Sequence, residues 1–387
     1  SDSGSAYHWL VRSGDGRLRA PWRLVVGVVL VVVVATVGAA VAAGLEAVTD
    51  GSGPTVAALG GTAALVVQAG ALAVGVLVAA RFVDERSYTA LGFERSRVWW
   101  ADLGFGLALG LALPAVVFGV ELAAGYVRVT GTLVSRADAS VPVAPAVDPW
   151  LALALVAAYF VAVAVFEELL FRAYLLATLT EGFAWVEAIA AGAADGRRAV
   201  VAAALATSLL FGAGHAANPA ATLRGVAIIA CYGGLLAATV LLTGRIAVAV
   251  GFHLTWNLAI SSVFGFPVSG FTAPVTVLAV EQSGPALVTG GRFGPEAGLV
   301  SLVALALGTA VVVGWVRWRE GELSFEYRGH EMEALDALAA VVTAFANATA
   351  TALDPERWKP STRSRSLSPE IEDFRDDERA PLSRTKR

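Results

Sequence analysis

Eight apolar runs, each close to the length of a bilayer crossing, constrain this 387-residue chain more than any other feature. A membrane-spanning helix takes roughly 20 apolar residues, because hydrocarbon offers no water to a bare backbone. The runs are 24–45, 55–80, 103–120, 150–179, 199–223, 225–244, 246–266 and 297–316. They predict an all-α polytopic membrane protein of about eight transmembrane helices. The division that follows is an N-terminal cytoplasmic segment (1–21), a membrane domain (22–319) and a cytoplasmic tail (320–387). The opening 1–20 stretch is polar and runs into a full-length span without a clear cleavage site, so the first span reads as an anchor.

Composition agrees. Hydrophobic residues make up 57% of the chain and charged residues 16%, where soluble domains hold about 45–50% apolar residues. A net charge of −4 without a Lys/Arg cluster speaks against a nucleic-acid partner. The lone Cys231 excludes an intrachain disulfide and cysteine-rich metal sites.

Arginine placement predicts orientation. With the N-terminus inside, inner connections carry Arg12, Arg17, Arg19, Arg23, Arg81, Arg86, Arg95, Arg97, Arg197, Arg198, Arg245, Arg317 and Arg319. The outer ones carry only Arg128, Arg136, Arg224 and Arg292. The positive-inside rule then puts both termini in the cytoplasm of a multi-pass cell-membrane protein. Trp22, Trp99, Trp100, Trp150, Trp315 and Trp318 fall at span ends, where interfacial aromatics belong. Gly104, Gly106 and Gly110 predict close helix approach. In the tail, Leu335, Leu338, Val342 and Phe345 recur at helical spacing, predicting an amphipathic helix. The polar stretch from Asp354 is expected to be disordered.

An ionisable side chain near the centre of a span costs about 2.5–3.5 kcal/mol on the insertion scale. Such residues occur in only three spans: Glu167, Glu168 and Arg172 in the fourth, His215 in the fifth, His253 (with Asn257) in the seventh. Glu168 and Arg172, four apart, share a helical face and are expected to pair. Glu167 points about 100° away and has no such partner, which makes it the better candidate for a general base. Phe211 lies one turn before His215 and is placed to shield it from lipid. His253 and Asn257 present donors side by side, as a developing oxyanion requires. Each set alone also reads as polar glue between helices; three sets on separate spans are harder to explain by packing.

Other protease chemistries lack their parts. The single His-Glu pair, His330-Glu331, has no second histidine at zincin spacing. No Gly-x-Ser-x-Gly elbow and no aspartate within a span occur.

The ordered motifs Glu167-Glu168-x-x-x-Arg172, Phe211-x-x-x-His215 and His253-x-x-x-Asn257 resemble those of the CAAX prenyl endopeptidase and bacteriocin-processing family, over 150–262. The resemblance implies an eight-helix fold and hydrolysis of peptide bonds in membrane-associated, CAAX-type or lipidated proteins or peptides. It implies that Glu167 and His215 activate water, that His253 and Asn257 form an oxyanion hole, and that Glu168, Arg172 and Phe211 support them. No cofactor is favoured. The alternatives are a zinc protease with Glu167, His215 and His253 as ligands, and a non-catalytic adaptor or immunity-type protein. A proton-coupled transporter fits less well, since no repeated pair of broken helices is found.

Overall fold

The computed structural model describes residues 10–136, 139–140, 147–192, 196–321, 324–327 and 330–333. The helix expected around Leu335–Phe345 and the polar stretch after Asp354 lie outside the described residues. Among the described residues, seven helices are long and apolar enough to cross a membrane: α1 (Ala20–Thr49), α2 (Pro54–Phe82), α3 (Arg97–Ala123), a continuous helix from Pro149, α6 (Gly196–Gly214), α7 (Leu223–Thr243) and α10 (Leu299–Glu320). The helix from Pro149 comprises α4 (Pro149–Glu168), a π-turn (Leu169–Leu175) and α5 (Leu176–Ala191). The remaining predicted span is the short helix Ala247–Val263, made of α8 (Ala247–Leu258) and a second π-turn (Ala259–Val263).

Strands were not legible in the hydropathy. β1 (Val127–Ser135) pairs antiparallel with β2 (Val275–Gln282), which lies a short helix, α9 (Ala286–Thr289), and two 3₁₀ turns before α10. β3 (Ser324–Tyr327) and β4 (His330–Glu333) pair antiparallel in a second two-stranded sheet.

The lipid-facing surface follows from composition. On α1, Val25, Val28, Val29, Val32 and Val33 are all exposed, an arrangement stable only against hydrocarbon. Trp22, Trp100, Trp150 and Trp318 stand exposed at helix ends. Glycine brings α3 against α8: a Cβ at Gly106 would meet the Val248 carbonyl, and one at Gly110 the Phe252 carbonyl. Gly104 does not serve this purpose, since a Cβ there meets nothing within 4 Å. The α3–α8 contact fixes the height of the helix that carries His253 and Asn257.

Two buried ion clusters tie the arginine-rich helix ends. In the first, Asp84 accepts from Thr178 (2.6 Å) and Arg86 (3.1 Å) and lies 3.3 Å from Arg23. Glu181 pairs with both arginines, joining α1, the end of α2 and α5. In the second, Asp102 accepts from Arg245 (2.6 Å), Arg319 (2.6 Å) and Trp315 (3.0 Å), joining α3, the α7–α8 connection and α10. Burial opposes the Arg245 charge, but its bonds to Asp102 and Glu320 outweigh that and raise the guanidinium above its ordinary value.

The continuous helix from Pro149 overshoots the predicted end at 179. Glu181 is level with the ends of α1 and α2, so the ten residues to Ala191 extend roughly 15 Å further at 1.5 Å per residue. α6 begins in this projecting region, packed back along α5, with Arg198 3.7 Å from Glu187 and Phe211 edge-on to Phe171. His215 therefore returns only to the level of Glu167 and Glu168, although it follows the helix's last residue, Gly214. A simple count from the start of the apolar run puts it nearer the opposite surface; the projecting hairpin removes that discrepancy.

Candidate active site

The π-turn opens directly after Glu168 and widens the helix over Leu169–Leu175; such insertions recur at functional sites. Glu168 and Arg172 remain paired across its start, at 3.0 Å, both side chains almost fully buried. The Arg172 guanidinium lies 4.1 Å over the Phe211 ring, and Nη2 donates to the Gly233 carbonyl at 3.4 Å. Phe211 thus does more than shield His215: it covers a buried cation and touches both histidine rings, 4.9 Å from His215 and 5.9 Å from His253.

His253 links the helices. Its Nδ1 bonds Glu168 Oε1 at 2.8 Å, and its Nε2 lies 3.8 Å from Glu167 Oε2. Because the arginine-paired Glu168 carboxylate accepts, Nδ1 carries a proton. Glu167 Oε2 is buried and makes no hydrogen bond. His215 Nδ1 donates to the Phe211 carbonyl at 2.8 Å. A carbonyl can only accept, so a neutral His215 ring keeps Nε2 as an acceptor.

α8 is regular α-helix until Leu258, so His253 and Asn257 share a face. Both line a cavity with His215, Phe211, Tyr232, Trp256, Ser269 and Glu296. A larger recess adjoins it, holding about 800 Å³ of empty space partly continuous with the surroundings, lined by His215, Asn257, Tyr159, Phe160, Asn218, Ser269 and Phe271. His215, Asn257 and Ser269 line both.

The motifs do not reveal Glu296. Its carboxylate, buried on a 3₁₀ turn (Pro295–Ala297), accepts from Trp256 Nε1 at 2.8 Å and from both the amide and hydroxyl of Ser269. Ser269 has a φ of +48°, a left-handed conformation that needs such support, and its carbonyl accepts from Asn218. Glu296 therefore joins the α8 helix to the loop over the cavity. The readable signal was a carboxylate immediately ahead of the last apolar run.

Among the described residues, no three His, Cys, Asp or Glu side chains converge as a metal site. His253 bonds Glu168 through Nδ1, which leaves Nε2 as the ring nitrogen near Glu167.

Residues 149–259, from the first residue of α4 to the first residue after α8, match the family model described as type II CAAX prenyl endopeptidase Rce1-like. This is the family that the three motifs resemble. Neither a curated protein nor a solved structure matches the chain.

Proposed function

We propose, from the Rce1-like segment at 149–259 and the side chains around its cavity, that this chain is an intramembrane endopeptidase of the CAAX-protease type. The observation that carries the reading is Glu167: a buried carboxylate oxygen without a hydrogen-bond partner, 3.8 Å from His253, whose ring borders the same cavity as His215 and Asn257.

In this scheme Glu167 removes a proton from water as the water oxygen attacks the scissile carbonyl carbon. His215, with Nε2 free to accept, orients that water. The carbonyl oxygen becomes an oxyanion held by the Asn257 amide and His253. Since Nδ1 of His253 already donates to Glu168, the donor to the oxyanion is Nε2–H, and the ring acts doubly protonated. As the tetrahedral intermediate collapses, Glu167 returns its proton to the leaving nitrogen and the C–N bond breaks. Glu168 and Arg172 position His253, and Phe211 covers Arg172. No step uses a metal.

The test is to profile peptide termini in membranes carrying wild type or Glu167→Ala at matched abundance. Termini seen only with wild type are expected; identical profiles with both proteins folded would remove the enzyme reading. The same cleavage should persist after exhaustive chelation. Its loss, with recovery on adding zinc, would replace the metal-free scheme by a zinc-dependent one.

A further inference from the structure

Among the described residues, the connections that line the cavity all belong to one end of the helix bundle. Ser140, Asn218, Ser269, Phe271 and Glu296, which line it from outside the α-helices, come from connections at the arginine-poor end. Among the described residues, none comes from the connections at the arginine-rich end (83–96, 192 and 244–246). That end is instead fastened by the Asp84–Glu181 and Asp102 ion clusters, with Asp84 and Asp102 at 0% and 1% exposure.

Helix lengths explain the opening. α7 crosses the bundle in full, whereas α6 stops at Gly214 and α8 with its π-turn at Val263. Trp256, adjacent to Asn257, packs 4.8 Å from Tyr232, nine residues below the start of α7 at Leu223. The site therefore lies roughly 14 Å below that end, at 1.5 Å per residue. Between these levels run the non-helical stretches 215–222 and 264–274. Irregular backbone at membrane depth persists only where protein buries it or where it borders a wet cavity.

We propose that this site takes its substrate from the non-cytoplasmic side of the membrane, as an extended juxtamembrane segment of a polypeptide. The proposal rests on the endopeptidase reading and on the positive-inside assignment of the arginine-rich end to the cytoplasm. A strand advances about 3.3–3.6 Å per residue, so about four extended residues reach from the surface to Asn257. A folded domain held closer than that to the scissile bond cannot deliver it.

Two measurements on the full chain test this. In a Cys231→Ala background, Ser140→Cys at the cavity rim and Arg95→Cys at the opposite end are labelled with a membrane-impermeant maleimide. The expected result is labelling of Ser140→Cys from right-side-out vesicles and of Arg95→Cys from inside-out vesicles. The reverse pattern overturns the proposal and leaves the peptidase reading intact. Wild-type-only termini, compared with Glu167→Ala, should map to non-cytoplasmic segments within a few residues of a membrane span. Termini confined to cytoplasmic segments also overturn the proposal while confirming proteolysis. No difference in termini sinks the peptidase reading, and with it the substrate assignment, whatever the labelling shows.

Discussion

Glu168→Ala is expected to destabilise the protein by about 3–5 kcal/mol, the cost of leaving one partner of a buried ion pair alone. Glu168 has 0% exposure and Arg172 2%. The arginine's remaining contacts would be the faces of Phe211 and Phe171, at 4.1 and 5.6 Å, and a long 3.4 Å bond to Gly233. A cation over a desolvated ring gains about 2 kcal/mol, too little to offset a bare guanidinium in the bundle interior. His253 Nδ1 would lose its acceptor in the same step. Replacing both members, Glu168→Leu with Arg172→Met, should recover most of the loss, since an apolar pair of similar volume often equals a buried ion pair. Reversible unfolding in detergent–lipid mixtures, run as a double-mutant cycle, measures both effects. A loss below about 1 kcal/mol for Glu168→Ala would mean that the charge is not confined as described. The double variant should still lack activity, because His253 would no longer be held.

The fourth apolar run shows how far local sequence carries. The i, i+4 spacing of Glu168 and Arg172 predicted their pairing, and it holds even across the start of the π-turn. The widening itself left no trace in the residue pattern, because Leu169–Leu175 has the same apolar character as its surroundings. Hydropathy also ended that helix too early. The residues after 179 are less uniformly apolar, yet they continue as helix because they project past the level of Glu181 and pack against α6.

The cavity wall was legible only in part. His253 and Asn257 could be placed on one face because a helix repeats locally. Glu296, Ser269 and the β1–β2 pairing depend on contacts between residues far apart in sequence, such as the 40 residues separating Trp256 from Glu296. Gly106 and Gly110 meet α8 while Gly104 faces open space; composition gives all three the same freedom, and helix phase alone separates them.

Asn257→Ala is expected to lower kcat by about 10²–10³, the usual cost of removing one oxyanion donor, with KM changed less than threefold. The substrate would be a peptide built around a terminus seen only with wild type. An amide that serves the oxyanion acts mainly in the transition state, so its loss falls on kcat. A residue that only joins helices would instead lower the unfolding midpoint and leave kcat of the surviving folded fraction near wild type. The two readings separate cleanly because Asn257 lines both the inner cavity and the wider recess, where a truncated side chain leaves space that water can fill. His253→Ala should be at least as damaging, since it removes a donor and frees Glu168. The double variant should be little worse than His253→Ala alone, as expected for groups acting on one oxygen. A kcat within tenfold of wild type for Asn257→Ala would remove the amide from the oxyanion site and leave His253 as the donor there.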